Sequence, residues 1–290
     1  MDNIIHIQGD EASTLTPLFL VHAISGLALP YLGLGSLSDE SDQVDGSRPV
    51  YGVSSPIYGN KNYSLPSSLD DVARQYISFI QREIQPEGPY LLGGWSLGGT
   101  IALKMASILE SWGERVLQVI MIDSPNPELY PAFISRHEQE TIASMTYNRV
   151  AGRYNAVLAD DDSSSGSDST DEEDNETSLA TVLPRMRKHI FNGLHMLGSV
   201  KAGNHFLPNQ CPTSVTLVKC SSLSRPAPAL RDARRDFVQK TFRDERMGWQ
   251  TERFKQFRTV RFRAQHDSAF DPTHVGELTA ILGDVLAKIP

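Results

Sequence analysis

Short apolar runs alternate with amphipathic stretches through the first 130 positions of the chain. Leu18-Phe19-Leu20-Val21 and Val50-Tyr51-Gly52-Val53 carry no charge and are too brief for helices, so they read as buried strands. From Leu69 the residues Val72, Ala73, Tyr76, Ile77, Ile80 and Ile84 recur at helical spacing. Ser68 and Asp71 precede them in the S-x-x-D arrangement of a capping box, and Pro86 bars the helix from continuing. Tyr90-Leu91-Leu92 reads as another strand. Ile101, Met105, Ile108 and Leu109 then mark one face of a second helix that Gly113 is placed to stop. The unbroken apolar run over 116–122 predicts a central strand. Strand and helix alternating in this way is the pattern of a mostly parallel sheet covered on both faces.

After Pro131 the pattern loosens into irregular helical stretches around 134–150 and 183–200. Regularity returns with strand-like Val215-Thr216-Leu217-Val218 and Val260-Arg261-Phe262. A closing helix follows, whose apolar face is Val275, Leu278, Ile281, Leu282, Val285 and Leu286. No internal repeat is visible. The expected organisation is a single α/β domain over 1–290, with a core of 1–130 and 211–290 and an inserted helical lid over 131–210.

Charge changes this picture in one place. The formal net charge is −8, but nine acidic residues and no basic one fall between Asp160 and Glu176, which leaves the rest of the chain at +1. That stretch has little to bury and repels itself, so a solvated, disordered acidic loop is expected over 159–178. Arg231 to Arg263 is the opposite, with eleven Lys or Arg against five Asp or Glu. It reads as a solvated helix face or a docking patch for an anionic partner. No nucleic-acid motif accompanies it, so nucleic acid is not an expected partner. Pro17 to Ser38 carries no charged residue, but Gly26, Pro30, Gly33 and Gly35 break it into strand, loop and short helix rather than a membrane span. Two cysteines, Cys211 and Cys220, are too few for a disulfide framework, and no basic-then-apolar leader opens the chain. A cytoplasmic setting with reduced thiols is expected.

The strongest chemical signal is Gly94-Trp95-Ser96-Leu97-Gly98, a G-x-S-x-G pentapeptide between a predicted strand and a predicted helix. Its glycines suit a tight strand-to-helix turn that would stand the Ser96 hydroxyl at the carboxyl end of the sheet. A serine needs a base and an orienting acid, in the chain order Ser, Asp or Glu, His. Asp123 follows Ser96 by 27 residues at the end of the 116–122 run, and His266 follows it by 170, just beyond the predicted strand at 259–263. Asp232 and Asp236 are rival acids, being the first carboxylates after the Val218 strand. His137, His189, His195 and His205 fall in the expected lid, and His274 opens the last helix. None has ligand spacing such as H-E-x-x-H, so no metal and no bound cofactor are expected. Backbone N–H groups of Leu97 and, from the loop after the first core strand, Ile24 are the candidate oxyanion donors.

Three segments together resemble one family. They are Phe19-Leu20-Val21-His22-Ala23-Ile24-Ser25-Gly26, the run from Gly88 to Gly99 around Ser96, and Ile122-Asp123-Ser124-Pro125 with Pro127. The chain is similar to the thioesterase domains of polyketide and nonribosomal peptide synthases, most closely those that end fungal non-reducing polyketide synthases. The resemblance covers nearly everything outside the acidic loop. It implies the α/β-hydrolase fold and a Ser96, Asp123, His266 triad, with Leu97 and Ile24 as oxyanion donors. It also implies an acyl carrier protein or synthase that delivers a phosphopantetheine thioester. In the family the acyl chain passes to the serine and leaves by hydrolysis, lactonisation or Claisen-type cyclisation; hydrolysis is the expected outcome here. A carboxylesterase on oxygen esters and, from another class, a non-catalytic binding protein on this fold are the alternatives. A stand-alone enzyme and an excised domain, and a monomer and a dimer, all fit the sequence.

Overall fold

A computed structural model describes residues 2–38, 46–161, 179–201, 206–223 and 230–289. The acidic segment expected as a disordered loop lies almost wholly outside the described residues, as does His205. Its first residues, 159–161, instead continue a helix.

Among the described residues, seven strands form one sheet. In chain order they are β1 (Ile4–Gln8), β2 (Leu18–Val21), β3 (Val50–Val53), β4 (Tyr90–Trp95), β5 (Val116–Ile122), β6 (Cys211–Ser222) and β7 (Phe254–Gln265). Their spatial order is β1-β3-β2-β4-β5-β6-β7, with β1 antiparallel to β3 and every other pairing parallel. The helices are α1 (Leu69–Glu83), α2 (Leu97–Ser111), α3 (Arg136–Asp161), α4 (Leu179–Ser199), α5 (Asp232–Arg243) and α6 (Val275–Leu286).

The strands read from apolar runs are those with both faces covered. All four residues of β2 are fully buried. Alternate residues divide between two cores: Phe19, Leu92 and Val119 pack with α1 and α2, while Leu18, Leu91 and Ile120 pack with α6 and Phe262 of β7. Ser68 caps α1, its Oγ accepting from Asp71 N–H at 3.1 Å, but the Asp71 carboxylate takes the Ser68 hydroxyl at 2.7 Å in place of the backbone N–H that a full capping box would give it. Gly113 sits just beyond α2 at φ +88°, a conformation that glycine adopts without strain.

Three elements differ from the sequence reading. β1 is a half-buried edge strand whose residues give no fully buried run. β6 and β7 each extend to 12 residues, because they pair with one another over most of their length. The basic stretch contains α5, which is amphipathic rather than freely solvated. Arg234 is buried there, stacked on Phe133 and Tyr130, and its Nε donates to Glu138 at 2.8 Å.

The register fixes what meets at the carboxyl edge. Trp95 of β4 lies opposite Ile122 of β5, and Ile122 lies opposite Val218 of β6. The residues that follow, Ser96 and Asp123, are therefore delivered side by side. β7 runs on to Gln265, opposite Ser222, and so sets His266 at the same edge. Helices α3 and α4, from the segment expected as a lid, form a third apolar cluster with Leu27, Ile57 and Tyr58.

Candidate active site

Ser96 occupies the turn between β4 and α2 at φ 57°, ψ −120°, a conformation that an L-residue holds only under strain. The sequence permits it because the neighbours have no Cβ. A Cβ on Gly98 would lie 2.1 Å from the Val21 carbonyl oxygen, and one on Gly94 would lie 2.5 Å from the Gly98 carbonyl carbon. The Ser96 N–H donates to Ile122 O at 2.8 Å, which ties the turn to β5.

Asp123 is also held at positive φ, 48°, and is 5% exposed. Its backbone N–H donates to Val218 O at 2.8 Å, and its Oδ1 accepts from Cys220 N–H at 2.9 Å. The other oxygen, Oδ2, lies 2.7 Å from His266 Nδ1, and His266 Nε2 lies 3.0 Å from Ser96 Oγ. A carboxylate can only accept, so Nδ1 carries the proton and Nε2 offers its lone pair to the serine hydroxyl. Burial opposes a charge on His266, but the hydrogen bond and charge of Asp123, with Asp267 adding to them, outweigh it and raise its pKa above the usual histidine value. The arrangement is thus an alcohol aimed at a base whose protonated form is favoured.

The structure does not bring the rival acids here. Asp232 and Asp236 are exposed on α5, and Asp232 pairs with Arg235. His137 and His195 are exposed on α3 and α4, while His274 precedes α6.

Leu97 is the first residue of α2, so its N–H has no partner within the helix and stands at the positive end of the helix dipole. Ile24 lies in the turn after β2. Among the described residues neither N–H is engaged in a hydrogen bond. Both residues line, with Ser96, Asp123 and His266, a mostly apolar cavity of about 670 Å³. Helices α3 and α4 contribute Ile142, Met145 and Leu194 to its wall.

Four contributors escaped the sequence reading. Cys220 orients Asp123 through its backbone, while burial and the Asp123 charge push its thiol pKa up and leave it a poor nucleophile. Trp95 packs its ring 5.7 Å from that of His266. Asp267 accepts from Arg149 of α3 at 2.6 Å. His189 of α4 contacts the loop of Ile24, with its Nδ1 3.1 Å from Ile24 O. Only Trp95 carried a signal in the sequence, its place inside the pentapeptide; the others depend on contacts across the fold. Among the described residues no cluster of three or more His, Cys, Asp or Glu side chains could hold a metal ion.

The family model described as "Thioesterase domain" matches residues 16–288. The protein called Thioesterase pytI, from Aspergillus terreus, is 44% identical over 312 residues, covering 100% of both chains. Non-reducing polyketide synthase PKS16 from Cladonia grayi is 41% identical over 217 residues, which span 73% of this chain and 8% of that one. Among solved structures, the NocB thioesterase domain in covalent complex with a fluorophosphonate nocardicin G analog superposes with a TM-score of 0.64 at 21% identity, covering 98% of this chain and 99% of that one. That likeness carries the fold alone.

Proposed function

The chain belongs to the thioesterase family, and from that premise we propose that it is a serine thioesterase with Ser96, His266 and Asp123 as its triad. The acyl or polyketide chain would arrive on the phosphopantetheine arm of a carrier protein or synthase, pass to Ser96, and leave by hydrolysis. The observation that carries this reading is His266 bridging Ser96 Oγ and the buried Asp123 carboxylate on the wall of an apolar cavity.

The steps follow from the contacts. His266 Nε2 takes the Ser96 proton as Oγ attacks the thioester carbonyl carbon, and Asp123 stabilises the imidazolium that forms. The oxyanion is received by the N–H groups of Leu97 and Ile24. Collapse breaks the carbon–sulfur bond, and His266 returns the proton to the leaving pantetheine thiolate. A water then attacks the acyl-serine with His266 again as base. The second collapse frees a carboxylic acid and restores the Ser96 hydroxyl. This sequence needs no metal or cofactor of the chain's own, because the pantetheine arrives with the substrate. Helices α3 and α4 act as a lid over a single-domain core, in a cytoplasmic enzyme. Among the described residues no helix is long and apolar enough to cross a membrane.

The test is mass spectrometry of wild type and Ser96→Ala with a panel of acyl-pantetheine and acyl-carrier thioesters. A transient acyl adduct on Ser96 followed by free acid is the expected result. A product short of one water would replace hydrolysis by lactonisation or Claisen-type cyclisation. Acylation by oxygen esters alone would make the protein a carboxylesterase. A folded wild type that no thioester, ester or fluorophosphonate labels would be a binding protein on this fold.

A further inference from the structure

The turn that carries Ile24 is gripped from both sides by two histidines outside the proposed triad. His22 is fully buried, and its Nδ1 lies 2.6 Å from Ala23 O. A carbonyl only accepts, so Nδ1 bears the proton, and Nε2 then accepts from the Tyr76 hydroxyl of α1 at 2.5 Å. Ala23 O is one end of the peptide group whose other end is Ile24 N–H. That group is planar and trans, so holding the oxygen aims the N–H in the opposite direction. The next peptide is held likewise. His189 of α4 is buried, its Nδ1 donates to Ile24 O at 3.1 Å, and its ring stands edge-on to that of His22 with centroids 4.9 Å apart.

The fit around this pair is close. A Cβ on Gly26 would lie 2.8 Å from the His189 ring, and one on Gly193, a turn beyond His189 on α4, would lie 2.5 Å from Ile24 Cδ1 and 3.1 Å from Leu97 Cδ2. Helix α4 therefore rests on the side chains of both residues proposed as oxyanion donors. Each peptide plane beside Ile24 is held by an imidazole, one anchored in the core and one carried by the helical insertion, and the Gly26 N–H also donates to Ala23 O at 3.1 Å.

The geometry points to His189, with His22 behind it, as a positioning residue that aims the Ile24 N–H at the oxyanion and makes that aim depend on α4 being seated. This rests on the thioesterase reading above. Hydrogen bonds to the carbonyl of each flanking peptide also polarise the chain of amides, which strengthens the N–H as a donor. Both rings act as neutral struts. Burial is the leading cause that lowers the pKa of His189 to about 4 and that of His22 to about 3, so neither is charged at neutral pH.

The test compares His189→Leu, which removes the donor, with His189→Gln, whose amide can still donate to Ile24 O, after counting active sites by end-point fluorophosphonate labelling. For His189→Leu, kcat per labelled site is expected to fall on the order of 10-fold to 100-fold with KM nearly unchanged, since an oxyanion donor acts on the transition state. His189→Gln is expected to recover most of the loss. Full kcat in His189→Leu, or an equal fall in both variants, would overturn the proposal. A measurement on wild type covers a His189→Leu that does not fold: the Ile24 amide proton should move downfield in NMR when Ser96 is phosphonylated. An unmoved Ile24 signal in labelled protein rejects the proposal whatever the variants do. A wild type that neither takes the label nor cleaves thioesters defeats the thioesterase reading first, and this inference with it.

Discussion

The carboxyl edge of the sheet and the α4 helix beside it each present a histidine to an oxygen near the cavity, and the two are driven in opposite directions. At the edge, His266 meets the buried Asp123 carboxylate, which outweighs burial and raises its pKa. Behind the turn of Ile24, His189 meets a carbonyl oxygen and another imidazole, and burial lowers its pKa to about 4. The same side chain is thus driven toward its charged form in one place and kept neutral in the other, according to whether its partner bears a charge. The supports differ too. The edge is built from strand register and backbone hydrogen bonds, whereas the contact with α4 is built from side chains.

The largest effect should come from removing the charge that separates the two histidines. Asp123→Asn keeps the shape but not the carboxylate, and kcat on a thioester is expected to fall by about 10⁴. His266 works as a base only when neutral, so the acid limb of kcat/KM in wild type lies above the ordinary histidine value of about 6.5. In Asp123→Asn that limb should move to lower pH. His189→Gln should leave it in place, and a limb that moves equally in both variants would break the comparison.

Next in size is the contrast between backbone and side-chain supports. Gly98→Ala sets a methyl 2.1 Å from Val21 O, where the sheet cannot yield, and should cost about 3 kcal/mol or more. Gly193→Ala meets the tip of the Ile24 side chain at 2.5 Å, which can rotate, and should cost about 1 kcal/mol. Thermal unfolding of both variants checks the order. Equal losses would show that α4 is seated as rigidly as the strands.

Acid unfolding sharpens the same point. His22 and His189 have folded-state pKa values of about 3 and about 4 against about 6.5 in the unfolded chain. Their contribution to stability is therefore present above about 6.5 and is lost as pH falls toward those values, because the unfolded state binds protons that the folded state refuses. His266, with its pKa raised, contributes in the opposite sense, over the range above about 6.5. Urea midpoints between about pH 4 and 6.5 should fall less steeply in His189→Gln than in wild type. Parallel slopes would mean that His189 is charged in the folded protein.

Legibility in the sequence divides along the same line. The core of the parallel sheet was readable because strands buried on both faces are continuously apolar; Ser96 was nominated by its pentapeptide, and Asp123 and His266 because each follows a predicted strand. The structure brings their side chains within hydrogen-bond reach. β1 was not readable, since a half-buried edge needs no apolar run, and α5 was masked by arginines that in isolation suggest solvent. His189 was dismissed with the other histidines of the insertion. Its partners are the carbonyl of Ile24, 165 residues away, and the ring of His22, and a single chain gives no sign of a contact made by folding.

The smallest expected effect is at Arg149, where α3 reaches the residue after His266. Arg149 Nη1 and Asp267 Oδ2 are 2.6 Å apart with about half of the arginine side chain exposed, so Arg149→Met should change stability by less than about 1 kcal/mol. Its mark should be electrostatic. Asp267 and Asp123 both raise the His266 pKa, and Arg153 lowers it. Arg149 neutralises part of the Asp267 charge, so removing it leaves that carboxylate freer to favour the imidazolium. The acid limb of kcat/KM should then move to higher pH, opposite in sign to Asp123→Asn. In about 1 M salt, where screening acts within about 3 Å, wild type and Arg149→Met should converge. A limb that moves down, or that stays apart at high salt, would show that Arg149 acts through packing of α3 and not through the charge beside the base.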